Sequence, residues 1–79
     1  MISELNSPNK VVGAKQARRA LNDGRAKKLF VAGDADPRVT QPLAQLAVDK
    51  HVAVELVPTM KELGSACGIA VGSAVAALL

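Results

Sequence analysis

The chain ends in six residues, Ala74 to Leu79, without a polar side chain among them. A strand of that composition has no face to give to water, so it must be central in a sheet that is covered on both sides. The rest of the chain must then supply flanking strands and helices, and its pattern of short apolar runs alternating with helix-period stretches is the α/β one. Val11-Val12 reads as a short strand, and Ala14 to Asp23 as a helix. In that helix Ala17, Ala20 and Leu21 share one face, while Lys15, Arg18, Arg19 and Asn22 share the other. Gly24 ends it. Leu29 to Ala32 is a strand and Gly33 to Pro37 a loop. A second helix is expected after Thr40 as N-cap, with Pro42 in its first turn and Leu43, Leu46 and Ala47 facing inward. Val52 to Val57 is a strand of alternating character. Thr59-Met60-Lys61-Glu62 has the form of a capping box and opens a helix that runs to Cys67 and stops at Gly68. Ser3 to Ser7 reads as a further short helix, ended by Pro8-Asn9. The sum is one domain over residues 1–79, a four-stranded sheet with helices on both faces.

At 79 residues the chain is expected to bury about 60% of its unfolded surface, an adequate core. Its one cysteine, Cys67, makes no internal disulfide, whereas secreted domains of this size usually carry several. Met1-Ile2-Ser3-Glu4 lacks the basic and apolar regions of a signal peptide. The longest apolar run, Gly68 to Leu79, has 12 residues, and a membrane span takes about 20. The expectation is a cytoplasmic monomer without a membrane partner.

The net charge of +3 is unevenly placed. Between Lys10 and Lys28 lie Lys10, Lys15, Arg18, Arg19, Arg25, Lys27 and Lys28 against Asp23 alone, so this segment carries +6 and the remainder −3. One end of the molecule is suited to a polyanion.

Enzymatic chemistry finds little support. His51, the one histidine, stands between a helix and a strand, a position for terminating the helix. Cys67 falls in the last turn of an alanine-rich helix, away from the helix N-terminus or cationic neighbour that activates a thiolate, and reads as a buried, inert thiol. Asp34 and Asp36 follow a strand, but the further oxygen ligands of a metal site are missing, and turn formation is the better reading, with Asp36 held extended before Pro37. Gly64, Gly68 and Gly72 do not have dinucleotide-loop spacing, and no P-loop lysine follows them. No catalytic residues, metal, cofactor or small-molecule substrate are expected.

With no Trp or Tyr, and with Phe30 inside a strand, the chain has no exposed rings on which unpaired bases could stack. An RNA partner would have to be already folded, gripped by polar side chains, backbone groups and small apolar contacts. The helix start at Gly13-Ala14-Lys15-Gln16 suits that task. First-turn N–H groups have no internal partners and carry partial positive charge, so oxygen ligands are at home there. Gln16 offers a donor and an acceptor to a base edge, and Arg18 and Arg19 reach phosphates, which give affinity where Gln16 and the backbone give selectivity.

Gly13-Ala14-Lys15-Gln16-Ala17-Arg18-Arg19-Ala20-Leu21 resembles the helix that opens with G-x-N-E-x-x-K in the L7Ae/L30e family of ribosomal proteins. Asp34-Ala35-Asp36-Pro37 resembles the D-x-D/E-P loop of that family, and Leu63-Gly64-Ser65-Ala66-Cys67-Gly68-Ile69 its L-G-x-A-C/A-G segment. Each motif alone is weak, but order and spacing agree over nearly the whole chain, and the short form is most similar to Gram-positive bacterial members. The resemblance implies a three-layer α/β/α sandwich with a four-stranded mixed sheet. It also implies binding to kink-turn RNA, a duplex bent sharply where a bulge adjoins tandem sheared G·A pairs. By position, Gly13 with Ala14 would admit the RNA to the backbone, Lys15 and Gln16 would contact the G·A pairs, and Arg19 would take the place of the motif's lysine. Asp36 would lie near an extruded nucleotide, and Ile69-Ala70-Val71 would pack on bulge nucleotides. Core burial is the other reading of Ile69 and Val71; the flanking glycines favour a loop. Lys15 stands where the family usually has asparagine, which turns a shaped amide contact into a point charge, and Ala70 stands where many members are polar or acidic. The implied partner is structured RNA (ribosomal RNA, a riboswitch or a messenger leader), with or without residence on the ribosome. A protein–protein adaptor on the same scaffold, docking through its acidic remainder, is the alternative.

Overall fold

The computed structural model describes Leu5 and residues 8–79. The short helix expected over Ser3 to Ser7 lies outside these residues except for Leu5, which is fully buried. The element order is β1 (Lys10–Val12), α1 (Ala14–Asn22), β2 (Lys28–Ala32), α2 (Pro37–Asp49), β3 (Ala53–Val57), α3 (Met60–Ala66) and β4 (Val75–Leu78).

The four strands form one mixed sheet in the order β1-β4-β2-β3. The apolar final strand is internal, as its composition demands. It pairs antiparallel with β1 (Val11 opposite Ala77) and with β2 (Phe30 opposite Ala76), while β2 and β3 are parallel. Alternation along the strands sorts side chains between two cores. Leu29, Val31, Val75 and Ala77 meet Ala17, Ala20 and Leu21 of α1 and Leu43 and Ala47 of α2. On the opposite face Phe30, Ala32, Ala76 and Val57 meet Leu63 and Cys67 of α3 together with Leu5. The result is the three-layer α/β/α sandwich expected. Phe30 is fully buried and Cys67 nearly so, in keeping with a ring that packs and a thiol that is inert; burial pushes the thiol's pKa up, against a smaller opposing pull from Lys10.

One boundary differs by more than a residue. Helix α2 starts at Pro37, and its N-cap is Asp36 rather than Thr40; the Asp36 carboxylate accepts from the Arg38 N–H at 2.9 Å. Asp36 has the extended backbone (φ −61°, ψ 122°) imposed by a following proline, and Pro37 at the first helical position sacrifices no hydrogen bond. Pro42 therefore lies inside the helix rather than in its first turn. Among the described residues no helix is long and apolar enough to cross a membrane.

All three helices end alike. The third residue beyond each helix donates its N–H five residues back: Arg25 to Ala20 (2.9 Å), Val52 to Ala47 (2.8 Å) and Ile69 to Gly64 (3.1 Å). The residue before it must be left-handed. Gly24 and Gly68 fill that place after α1 and α3, but after α2 it is His51, at φ 60°. His51 thus terminates its helix, as expected, at the steric cost of a side chain there. Replacing His51 with Gly is expected to stabilise the fold by about 0.5–1 kcal/mol, read as a higher urea midpoint with an unchanged m-value.

Candidate nucleic-acid interface

Strands β1, β2 and β3 run one way and β4 the other. The segments that follow the first three strands and the segment that precedes β4 therefore gather at one end of the sheet. The start of α1, the 33–36 loop, the start of α3 and the 73–74 approach to β4 all lie there. Backbone hydrogen bonds fasten them together: Gly13 N–H to the Val75 carbonyl (3.0 Å), Ala32 N–H to the Ala74 carbonyl (2.9 Å) and Gly33 N–H to the Val57 carbonyl (2.7 Å).

At the start of α1 the backbone turns from strand into helix within one residue, and Gly13 has φ 102° and ψ 155°. An L side chain rarely adopts that φ, so the position requires glycine. The requirement has a consequence: where a helix ordinarily has Ser, Thr, Asp or Asn to satisfy its first donors, no side chain caps α1. Its first turn also contains no acidic residue. Lys15 and Gln16 are exposed, as are Arg18 and Arg19 on the outer face, while Ala17, Ala20 and Leu21 hold the helix to the sheet. The outcome is a row of outward donors and cations over a buried apolar stripe.

The two aspartates of the 33–36 loop do more than shape a turn. Asp34 Oδ1 accepts from the Met60 N–H at 2.7 Å, which ties the loop to the first residue of α3, and Thr59 Oγ1 accepts from the Glu62 N–H at 3.1 Å in the expected capping arrangement. Asp36, besides capping α2, receives the Arg38 guanidinium in a fork, Nη2 to Oδ2 at 2.8 Å and Nε to Oδ1 at 3.2 Å. That fork, with the backbone N–H of Arg38, holds the Asp36 carboxyl below the usual carboxylate range. Arg38 was not among the residues singled out from sequence. Its signal was the two-residue spacing from Asp36 across Pro37, which brings a cap and a cation to one carboxylate.

The Ile69-Ala70-Val71 segment is a loop, with all three residues exposed; core burial does not apply to Ile69 or Val71 (37% and 70% exposed). The loop doubles back along α3, since Ile69 N–H donates to Gly64 at its last turn and Ser73 N–H to Met60 at its first (both 3.1 Å). It lies so close that a Cβ on Gly64 would collide with the Val71 carbonyl oxygen, and one on Gly72 would crowd Met60 at 3.1 Å. Gly64 is thus the foundation of the loop, a role spacing alone does not disclose. Among the described residues no three His, Cys, Asp or Glu side chains converge as metal ligands.

A sheet sandwiched by helices, with a basic, uncapped helix start and an exposed apolar loop gathered at one end, defines a small α/β/α protein with a candidate contact surface at that end. Residues 3–79 match the model of the Ribosomal protein L7Ae/L30e/S12e/Gadd45 family, and the chain belongs to that family. It is 43% identical over 75 residues to an "RNA-binding protein" of Geobacillus sp. strain WCH70, covering 95% of this chain and 92% of that one. It is 44% identical over 69 residues to "RNA-binding protein YbxF" of Geobacillus stearothermophilus, with 87% and 84% covered. A longer relative is "Large ribosomal subunit protein eL8" of Halobacterium salinarum, 40% identical over 68 residues, which cover 85% of this chain and 57% of that one. Among solved structures the "15.5kD RNA binding protein" of Giardia lamblia superposes with a TM-score of 0.86 at 29% identity, over 95% of this chain and 63% of that one.

The close approach at Gly64 yields a prediction. Gly64→Ala should cost about 3 kcal/mol, near the upper end of overpacking penalties. The loss should be accompanied by faster amide exchange over residues 69–73, measured by hydrogen–deuterium exchange.

Proposed function

We propose that this protein binds RNA without catalysing a reaction, and that its target is a kink-turn. The observation that carries the reading is the joining of two unlike surfaces at one sheet end. One is the uncapped, cationic start of α1; the other is the exposed apolar loop at Ile69-Ala70-Val71. A straight A-form duplex offers a major groove too narrow for a helix end and no unstacked base for an apolar loop. A bent duplex with a bulge offers both. The names of the two Geobacillus relatives and of the Giardia structure, each an RNA-binding protein, support RNA as the ligand class.

In this reading the Gly13-Ala14 backbone approaches the RNA closely, because no side chain stands in front of the first-turn donors. Lys15 and Gln16 meet the edges of the G·A pairs. Arg18 and Arg19 hold phosphates, Ile69, Ala70 and Val71 pack on the bulge nucleotides, and Asp36 borders an extruded one. The protein acts as a cytoplasmic monomer on ribosomal RNA, a riboswitch or a messenger leader.

Mobility-shift titrations with a kink-turn duplex and a matched duplex lacking the G·A pairs decide the matter. Preference for the kink-turn is expected, and equal affinity for both would sink the reading. Gln16→Ala should cost about 1–3 kcal/mol on the kink-turn and narrow the preference. Arg18→Gln should weaken both RNAs alike and reduce the salt slope by about 1.

A further inference from the structure

We propose that the outer face of α1 and the turn after it form a continuous phosphate track, along which an RNA stem held at the kink end is gripped again by Arg25 and Lys27 at the opposite end of the sheet. The proposal rests on the reading of the preceding subsection and extends it to a surface outside the kink contacts. Its basis is the way α1 is pinned. The backbone before α1 is fixed to one end of β4 by the Gly13 N–H to Val75 bond. The backbone after α1 is fixed to the other end of β4 by the Lys27 N–H to the Leu78 carbonyl (2.6 Å). The helix therefore spans the height of the sheet, and its nine residues are about 13 Å long. Cations at its two ends cannot share a phosphate.

The charge along this path is close to unopposed. Lys15, Arg18 and Arg19 are exposed on the outer face, and Arg25 and Lys27, also exposed, follow directly after Gly24 where the helix ends. Asp23 is the one acid in the stretch. Its contact with Arg25, 3.4 Å with both side chains about half-exposed (53% and 48%), leaves the guanidinium open to a second anion. Lys28 is different, since it is held at 2.8 Å by Glu55 on the α3 side of the sheet, and it is not part of the track. The ligand chemistry also follows from what accompanies the charge. A helix that docks on lipid pairs its cations with an exposed apolar face. Here the apolar side of α1 is buried against the sheet, and the exposed Val48, Val54 and Leu56 belong to α2 and β3. A bare line of cations more than one phosphate long fits a nucleic-acid backbone. Arg25 and Lys27 also lie where they offset the negative end of the α1 dipole, but that role is indifferent to the length of any RNA.

The test is an anisotropy titration at several salt concentrations. Wild type, Arg25→Gln/Lys27→Gln and Lys50→Gln are compared on two kink-turn RNAs, one with stems extended by a full helical turn and one trimmed close to the G·A pairs. The double variant should lose about tenfold in affinity for the long-stem RNA and about 2 from the salt slope, with no change on the trimmed RNA. Unchanged binding to the long-stem RNA, an equal loss on both RNAs, or the same loss from Lys50→Gln would overturn the track. A straight duplex without G·A pairs, run in parallel, reports separately on kink recognition; indifference there counts against the preceding reading, while the stem-length difference still decides the track.

Discussion

The structure depends on where β4 can go. A strand reading Val-Ala-Ala-Leu has no polar face, so both of its faces need helices and both of its edges need partners. β1 and β2 take the edges, α1 and α2 cover one face, and α3 covers the other. Because β4 runs against its neighbours, its beginning lies beside the end of β1, and the Val75 carbonyl is there to receive Gly13. The same reversal brings the 69–73 loop, which must lead into β4, to the end of the sheet where α1 begins. The candidate interface is thus a by-product of burying one apolar strand.

That interface is bought with stability. Satisfying the first donors of α1 with a Ser or Asp cap would be worth about 1 kcal/mol, and cations in a first turn oppose the helix dipole. The chain has Gly13 and Lys15 there instead. Elsewhere its helices carry side-chain caps: Asp36 serves α2, while Thr59 and Asp34 serve α3. Two helices finished and one left open is the pattern expected if the open donors have an external partner.

Much of this was legible in the sequence, for identifiable reasons. The central place of β4 followed from an unbroken apolar run, and the inward face of α1 from Ala17, Ala20 and Leu21 at helical spacing. The end of each helix followed from Gly24, His51 and Gly68. The start of α2 is ambiguous in the sequence, because Thr40 two residues before Pro42 and Asp36 directly before Pro37 both have the form of a capped helix start; the structure uses Asp36. What could not be read was anything that depends on distant segments meeting. The Asp34 bond to Met60 spans 26 residues. The fit of Val71 over Gly64 depends on a loop reversing direction along α3. Within the candidate site, the exposure of the basic face and of residues 69–71 agrees with the sequence, and the engagement of Asp36 by Arg38 has a local signal in their two-residue spacing across Pro37.

The central claim is that the open start of α1 and the 69–71 loop meet the RNA together. Amide chemical-shift mapping of the labelled protein with a trimmed kink-turn RNA tests it most directly. The account predicts that the largest shifts fall on Ala14, Lys15 and Gln16 and on Ile69, Ala70 and Val71, with Val48 and residues 53–56 unmoved. Largest shifts along α2 and β3, or shifts at α1 without any at the 69–71 loop, would contradict it.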